Sequence, residues 1–128
     1  MKKTILILGL LSSLAFAQSE GLREIDSKCS AGSSHDMAMC YGTEEEKLTN
    51  KLKTKIETIK ETFVDSSLAV ETQPIWEQYT QKWCEGRKRL SRNYGYMIFS
   101  NCMIEHTLLR IEQLDIYYCN ENGCPATK

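Results

Sequence analysis

The chain has 128 residues, with 16 basic against 17 acidic side chains and a net charge of −1. That length suits one domain with a modest core, and the charge balance argues against nucleic acid, which selects a basic face. Six cysteines in so short a chain point to a disulfide framework made in an oxidising compartment.

The start reads as a leader. Lys2 and Lys3 precede an apolar run from Ile5 to Leu11, and Ala15, Phe16 and Ala17 give a small-residue exit. The run is too short to span a bilayer, which takes about 20 apolar residues. Residues 1–17 are therefore expected to be a signal peptide, and residues 18–128 a single exported domain with no membrane anchor, periplasmic or secreted. Without Lys2 and Lys3, 14 basic groups face 17 acidic ones, a net charge of −3.

Residues 18–32 are polar and show no steady period, and Gly32, Ser33 and Ser34 read as loop. Ser33 caps a short helix through Met37 to Cys40, and Gly42 ends it. Thr43 and Glu46 then form a capping box, and Leu48, Leu52, Ile56, Ile59 and Phe63 recur at helical steps. A long amphipathic helix to about Ala69 follows from that spacing. Pro74 suits a first helical turn, and Trp76, Tyr79, Trp83 and Leu90 carry a second long helix over 74–91. Their aromatic strip reads as core, with a carbohydrate- or protein-binding platform as the alternative. Asn93 and Gly95 break the pattern. A third long helix spans Tyr96 to Tyr118, and the last residues form a turn closed by a bridge between Cys119 and Cys124.

The expected fold is all-α: an up-and-down bundle of three long helices and a short leading one, stapled by disulfides. The cysteines Cys29, Cys40, Cys84, Cys102, Cys119 and Cys124 allow fifteen pairings. Sequence separation favours the neighbours: Cys29 with Cys40, Cys84 with Cys102, Cys119 with Cys124.

Three local patterns share one resemblance. Ser33, Asp36, Met37 and Cys40 follow Cys29 as T-x-x-E-M-x-x-C follows a cysteine. Gln73, Trp76, Tyr79 and Cys84 match Q-x-x-W-x-x-Y-x-x-x-x-C. Gly95 and Met97 lead into Cys102, Thr107, Arg110 and Leu114, which match C-x-x-x-x-T-x-x-R-x-x-x-L. In this order the patterns resemble the N-terminal domain of the lysozyme inhibitor LprI family. Thr80 and Gln81 depart from the family's Arg-Asp, and Leu48, Thr49 and Leu52 stand where it often has Leu-Asn and then Tyr. Cys119 and Cys124 are an addition. The resemblance implies a helical domain with bridges Cys29–Cys40 and Cys84–Cys102, and it implies lysozyme inhibition.

Reactive constellations are few. Ser34, His35 and Asp36 hold the letters of a hydrolase triad, but adjacent residues cannot point at one another as a triad must. His35, Met37, Met39 and Cys40 invite copper, yet His35 and Met39 share a helix face that Met37 does not, and a bridged Cys40 offers no thiolate. His106 beside Glu105 is a surface pair. Thr107 is expected to bond a backbone carbonyl, and Arg110 to lay its head on a carboxylate. No catalytic residue, cofactor or metal is assigned. The candidate partner site is the basic cluster Arg87, Lys88, Arg89 and Arg92, next to the turn at Gly95. It fits an inhibitor of lysozyme or a binder of another envelope protein. Its bland alternative is a helix end whose cations complement the dipole, in a structural or stress-related envelope protein with no enzyme target.

Overall fold

The computed structural model describes residues 12–128, with side chains from Glu20 onward. Among the described residues there are four helices: α1 (Ser12–Cys29), α2 (Ser34–Thr62), α3 (Ser67–Leu90) and α4 (Gly95–Tyr118). The predicted leader lies outside the described residues up to position 11, and residues 12–17 are described only as the backbone that begins α1. No helix among the described residues is long and apolar enough to cross a membrane.

The all-α bundle is present, with boundaries that differ from the sequence reading. The segment before Cys29, which shows no steady period in the sequence, is helical. Leu22, Ile25 and Cys29 fall at steps of three and four, and the last two are buried against Ile104 of α4. Gly21 lets α1 approach α4 closely, since a Cβ there would stand 3.4 Å from Leu108 Cδ1.

Gly42 does not end a helix, and Thr43 and Glu46 do not start one. The capping box is Ser33 with Asp36: Ser33 Oγ accepts from Asp36 N at 3.2 Å, and Asp36 Oδ2 accepts from Ser33 N at 2.9 Å. Thr43 Oγ1 instead donates to Met39 O at 2.9 Å, inside a continuous α2. A mid-helix glycine costs about 1 kcal/mol relative to alanine. Two tertiary links hold the first turns of α2 as helix in spite of it: the Cys29–Cys40 bridge and a Tyr41 hydroxyl donating to Asp26 at 2.7 Å.

α2 stops at Thr62, seven residues earlier than its periodicity indicates, because Phe63 turns extended to meet Tyr118, with ring centroids 5.1 Å apart. Asp65 Oδ1 then accepts from Ser67 N at 2.9 Å and starts α3. Pro74 therefore lies within α3 and not in its first turn.

The contacts fix the directions of the helices. Cys29–Cys40 and the Lys28–Glu44 ion pair run α1 against α2. Cys84–Cys102, Gln73 with Arg110, and Ala69 with Tyr118 run α3 against α4. Early α2 meets early α4 around Asp26, and the Lys55–Asp115 pair joins their later turns, so these two are parallel. Such an arrangement is up-and-down. The main core gathers Leu52, Ile56, Ile59, Phe63, Ala69, Ile111, Leu114 and Tyr118, with Leu48 and Trp76 at its edge. Burying a side chain of this size contributes about 1.5–3 kcal/mol.

After α4, Asn120 and Gly123 exchange two backbone hydrogen bonds, of 3.1 and 2.9 Å, inside the Cys119–Cys124 loop. The tail then returns to the end of α2, where Val64 N donates to Ala126 O at 2.9 Å and Lys128 N to Thr62 O at 2.8 Å.

Candidate partner-binding surface

The basic cluster occupies the end of α3 and the connection to α4. Ser91 N donates to Lys88 O at 3.2 Å and Ser91 Oγ to Asn93 O at 2.7 Å, which tightens the turn. Tyr94 then takes a left-handed backbone, φ 59° and ψ 23°, just before Gly95 opens α4. That conformation is uncommon for an aromatic residue and disfavoured by its Cβ. Gly95 meets a space limit instead, because an added Cβ would stand 3.2 Å from Lys88 Cγ.

The four cations have different surroundings. Arg87 pairs with Glu105 of α4 at 3.5 Å, and Lys88 Nζ lies 5.8 Å from the Phe99 ring centroid. Arg89 and Arg92 are exposed. The Cys84–Cys102 bridge, its Cα atoms 5.6 Å apart and both residues fully buried, ties the two helices below the turn. Beside the turn lies a groove of about 520 Å³, bounded by Met37 and Tyr41 of α2, Arg87 of α3, and Tyr94, Met97 and Asn101 at the start of α4. Two of its lining residues share one acceptor: Asp26 accepts from both the Tyr41 hydroxyl, at 2.7 Å, and Asn101 Nδ2, at 3.2 Å. Burial first, and then the Asp26 bond, push the Tyr41 hydroxyl up to about 12.

Other residues singled out in the sequence have structural surroundings. Only Trp76 of the aromatic strip packs on the core; Tyr79 and Trp83 stack on each other at the surface, centroids 6.2 Å apart, and the His106 and Tyr79 rings meet in a T-shaped contact. Arg110 is buried but meets no carboxylate among the described residues. Its Nε donates to Gln73 Oε1 at 3.1 Å and its Nη2 to Thr72 Oγ1 at 2.6 Å. Thr107 is buried beside it on α4. Asp36 spends its carboxylate on Ser33, which holds it below the usual carboxylate range, so the Ser34–His35–Asp36 run has no free acid. Cys40 is consumed in its bridge, and the exposed Met39 has no thiolate beside it.

One cluster was missed. Cys84, Cys102 and His106 bring three donor atoms within 4.8 Å of one another. The four-residue step from Cys102 to His106 could have revealed it, since that step puts both on one helix face. Both sulfurs are bonded to each other, which leaves the imidazole as the one donor with a free lone pair.

These observations define a small all-α domain stapled by three disulfides, with a cationic turn set over a groove. The family model for the lysozyme inhibitor LprI matches residues 26–114, and the chain belongs to that family. The matched stretch holds Cys29, Cys40, Cys84 and Cys102 and ends before Cys119. Comparisons with curated proteins and with solved structures find no match.

Proposed function

We propose that the chain is an exported binding protein that inhibits a lysozyme, docking through the turn from Arg87 to Gly95 and the groove beside it. It performs no catalytic step of its own. The observation that carries the reading is the placement of Arg87, Lys88, Arg89 and Arg92 at a turn beside an open groove, on a chain that is otherwise net negative. A lysozyme cleft holds the two carboxylates of its chemistry. A narrow turn can enter such a cleft where the side of a helix cannot. The buried Cys84–Cys102 bridge straddles the turn and lowers the ordering cost of binding. Export is supported by the charged start, the short apolar run and the Ala15–Ala17 exit, and by three bridges that persist in an oxidising compartment.

The test is a cell-wall lysis assay with lysozyme and the purified protein. Replacing Arg87, Lys88, Arg89 and Arg92 by Gln should raise the inhibition constant at least about tenfold, about 1.4 kcal/mol, with helical content unchanged. Undiminished inhibition rejects the turn as the site. A native protein that fails to inhibit removes the lysozyme reading.

A further inference from the structure

Besides its core-facing side, α3 has a second apolar stripe. Leu68, Ile75, Tyr79, Trp83 and Leu90 are exposed by 51, 69, 56, 51 and 88 %. At 100° per residue these five positions fall within one narrow arc of the helix, about a quarter-turn away from Ala69, Thr80 and Cys84, which face the core. Contiguous exposed apolar surface of this kind marks a contact with another molecule.

The stripe is symmetric about its own middle. Ile75 and Trp83 lie four residues to either side of Tyr79, and Leu68 and Leu90 lie eleven to either side. The charges are split about the same point. From Asp65 to Gln78 the chain carries Asp65, Glu71 and Glu77 with no basic residue, whereas from Lys82 to Arg92 it carries Lys82, Arg87, Lys88, Arg89 and Arg92 against Glu85 alone. A surface that is palindromic in shape and opposite in charge at its two ends is complementary to itself when turned through a two-fold axis.

We propose that α3 pairs antiparallel with α3 of a second copy, with the two-fold axis at Tyr79. Tyr79 then packs on its counterpart, Ile75 on the partner's Trp83, and Leu68 on the partner's Leu90. The shallow groove between Trp83 and Leu90, about 490 Å³ and open because Gly86 has no side chain, receives the partner's segment from Leu68 to Ile75. Glu71 and Arg89 are 18 residues apart, about five helical turns, so they lie on the same flank of the stripe. In an antiparallel pair like flanks meet, and each Glu71 faces the partner's Arg89. Both residues are exposed. Isologous pairing of this kind is the commonest closed assembly, and because Arg89 also belongs to the proposed docking turn, the pairing is read by association and not by inhibition.

Sedimentation equilibrium of the purified, oxidised protein provides the test, with circular dichroism to verify the fold of each variant. A monomer–dimer equilibrium is expected. Tyr79→Asp or Trp83→Asp should raise the dimer dissociation constant at least about tenfold without loss of helix. Glu71→Arg and Arg89→Glu should each weaken the dimer, and the two together should restore it. Geometry is read by cross-linking: Tyr79→Cys forms a disulfide-linked dimer with itself, whereas Ile75→Cys links to Trp83→Cys in a mixture and not to itself. A monomer at all concentrations overturns the proposal. So does a dimer insensitive to the Asp variants, or self-linkage of Ile75→Cys, which would mean a parallel pair.

Discussion

Arg110 of α4 reaches across to the first half of α3 and donates to Gln73 Oε1 at 3.1 Å and to Thr72 Oγ1 at 2.6 Å. Gln73 in turn donates from Nε2 to Glu77 at 3.1 Å, so the guanidinium is held in a short polar chain and not in an ion pair. Burial pulls its pKa below the usual arginine value, and it remains a cation throughout the ordinary pH range. Gln73 belongs to the second of the three sequence patterns and Arg110 to the third, and their hydrogen bond joins the two patterns in space. Lysine cannot reproduce a planar fork that serves two acceptors at once. Arg110→Lys is expected to lose about 1.5–3 kcal/mol, the range for hydrogen bonds to a buried charged group, in urea unfolding of the oxidised protein. A loss under about 0.5 kcal/mol would show that the fork is dispensable.

Thr80 presents the opposite case. It is fully buried on the inner face of α3, and its hydroxyl has no hydrogen-bond partner among the described residues. It also stands at one of the positions where the sequence departs from the pattern it resembles. Valine has nearly the same shape and no hydroxyl to desolvate. Thr80→Val should stabilise the protein by about 1 kcal/mol, the low end of the penalty for a buried unsatisfied group. Thermal unfolding would detect this, and an unchanged or lowered midpoint would mean that the hydroxyl is solvated in solution.

The legible parts of the fold were those with long, unambiguous periods. Leu52, Ile56 and Ile59 marked the buried side of α2 correctly, and the cysteines paired as neighbours: antiparallel helices bring Cys29 to Cys40 and Cys84 to Cys102, and a tight turn after α4 brings Cys119 to Cys124. The helix ends were less legible. At Gly42 local propensity favoured a stop, but the Cys29–Cys40 bridge and the Tyr41–Asp26 bond lie in tertiary structure and overrode it. The aromatic strip failed for another reason. Trp76 and Tyr79 are three residues apart, a spacing that allows both to face the core, yet the buried arc of α3 is narrow enough to take Trp76 and leave Tyr79 and Trp83 outside. At the candidate site the cations were visible as a run of letters. The groove beside them was not, because it is assembled from three helices.

Acid and alkali should act on different groups within the first turns of α2. The bonds from Ser33 hold Asp36 below the usual carboxylate range, and those from Lys28 and Lys47 do the same for Glu44. A depressed folded pKa contributes stability that is present above the ordinary carboxylate values and lost as pH falls through the folded ones. Tyr41 is raised to about 12, against about 10 for a free tyrosine. Its contribution is complete below about 10 and lost as pH rises towards about 12. Urea unfolding across pH should therefore show a decline on both sides. Asp36→Asn should flatten the acid limb and Tyr41→Phe the alkaline one. If either limb keeps its slope in its variant, the assignment of that limb is wrong.

Tyr94 joins stability to the proposed site. Its φ of 59° lies in the left-handed region, where a side chain with a Cβ is disfavoured by about 1–2 kcal/mol. The ring is exposed and lines the groove beside the basic turn, so burial in the folded chain does little to offset the strain. Glycine adopts this backbone freely, although it loses more entropy on folding. Tyr94→Gly should therefore stabilise the protein modestly, by about 0.5–1 kcal/mol in chemical unfolding. Inhibition should move the other way. An exposed tyrosine on a constrained backbone is a low-entropy contact of the kind that anchors interfaces, and its removal should weaken inhibition of lysozyme about tenfold or more. The combination separates two roles for the residue. If Tyr94→Gly stabilises the fold and leaves inhibition intact, the ring is a bystander of the turn. If it destabilises the fold, the aromatic side chain itself holds the turn together, and the strain it bears serves the structure and not the site.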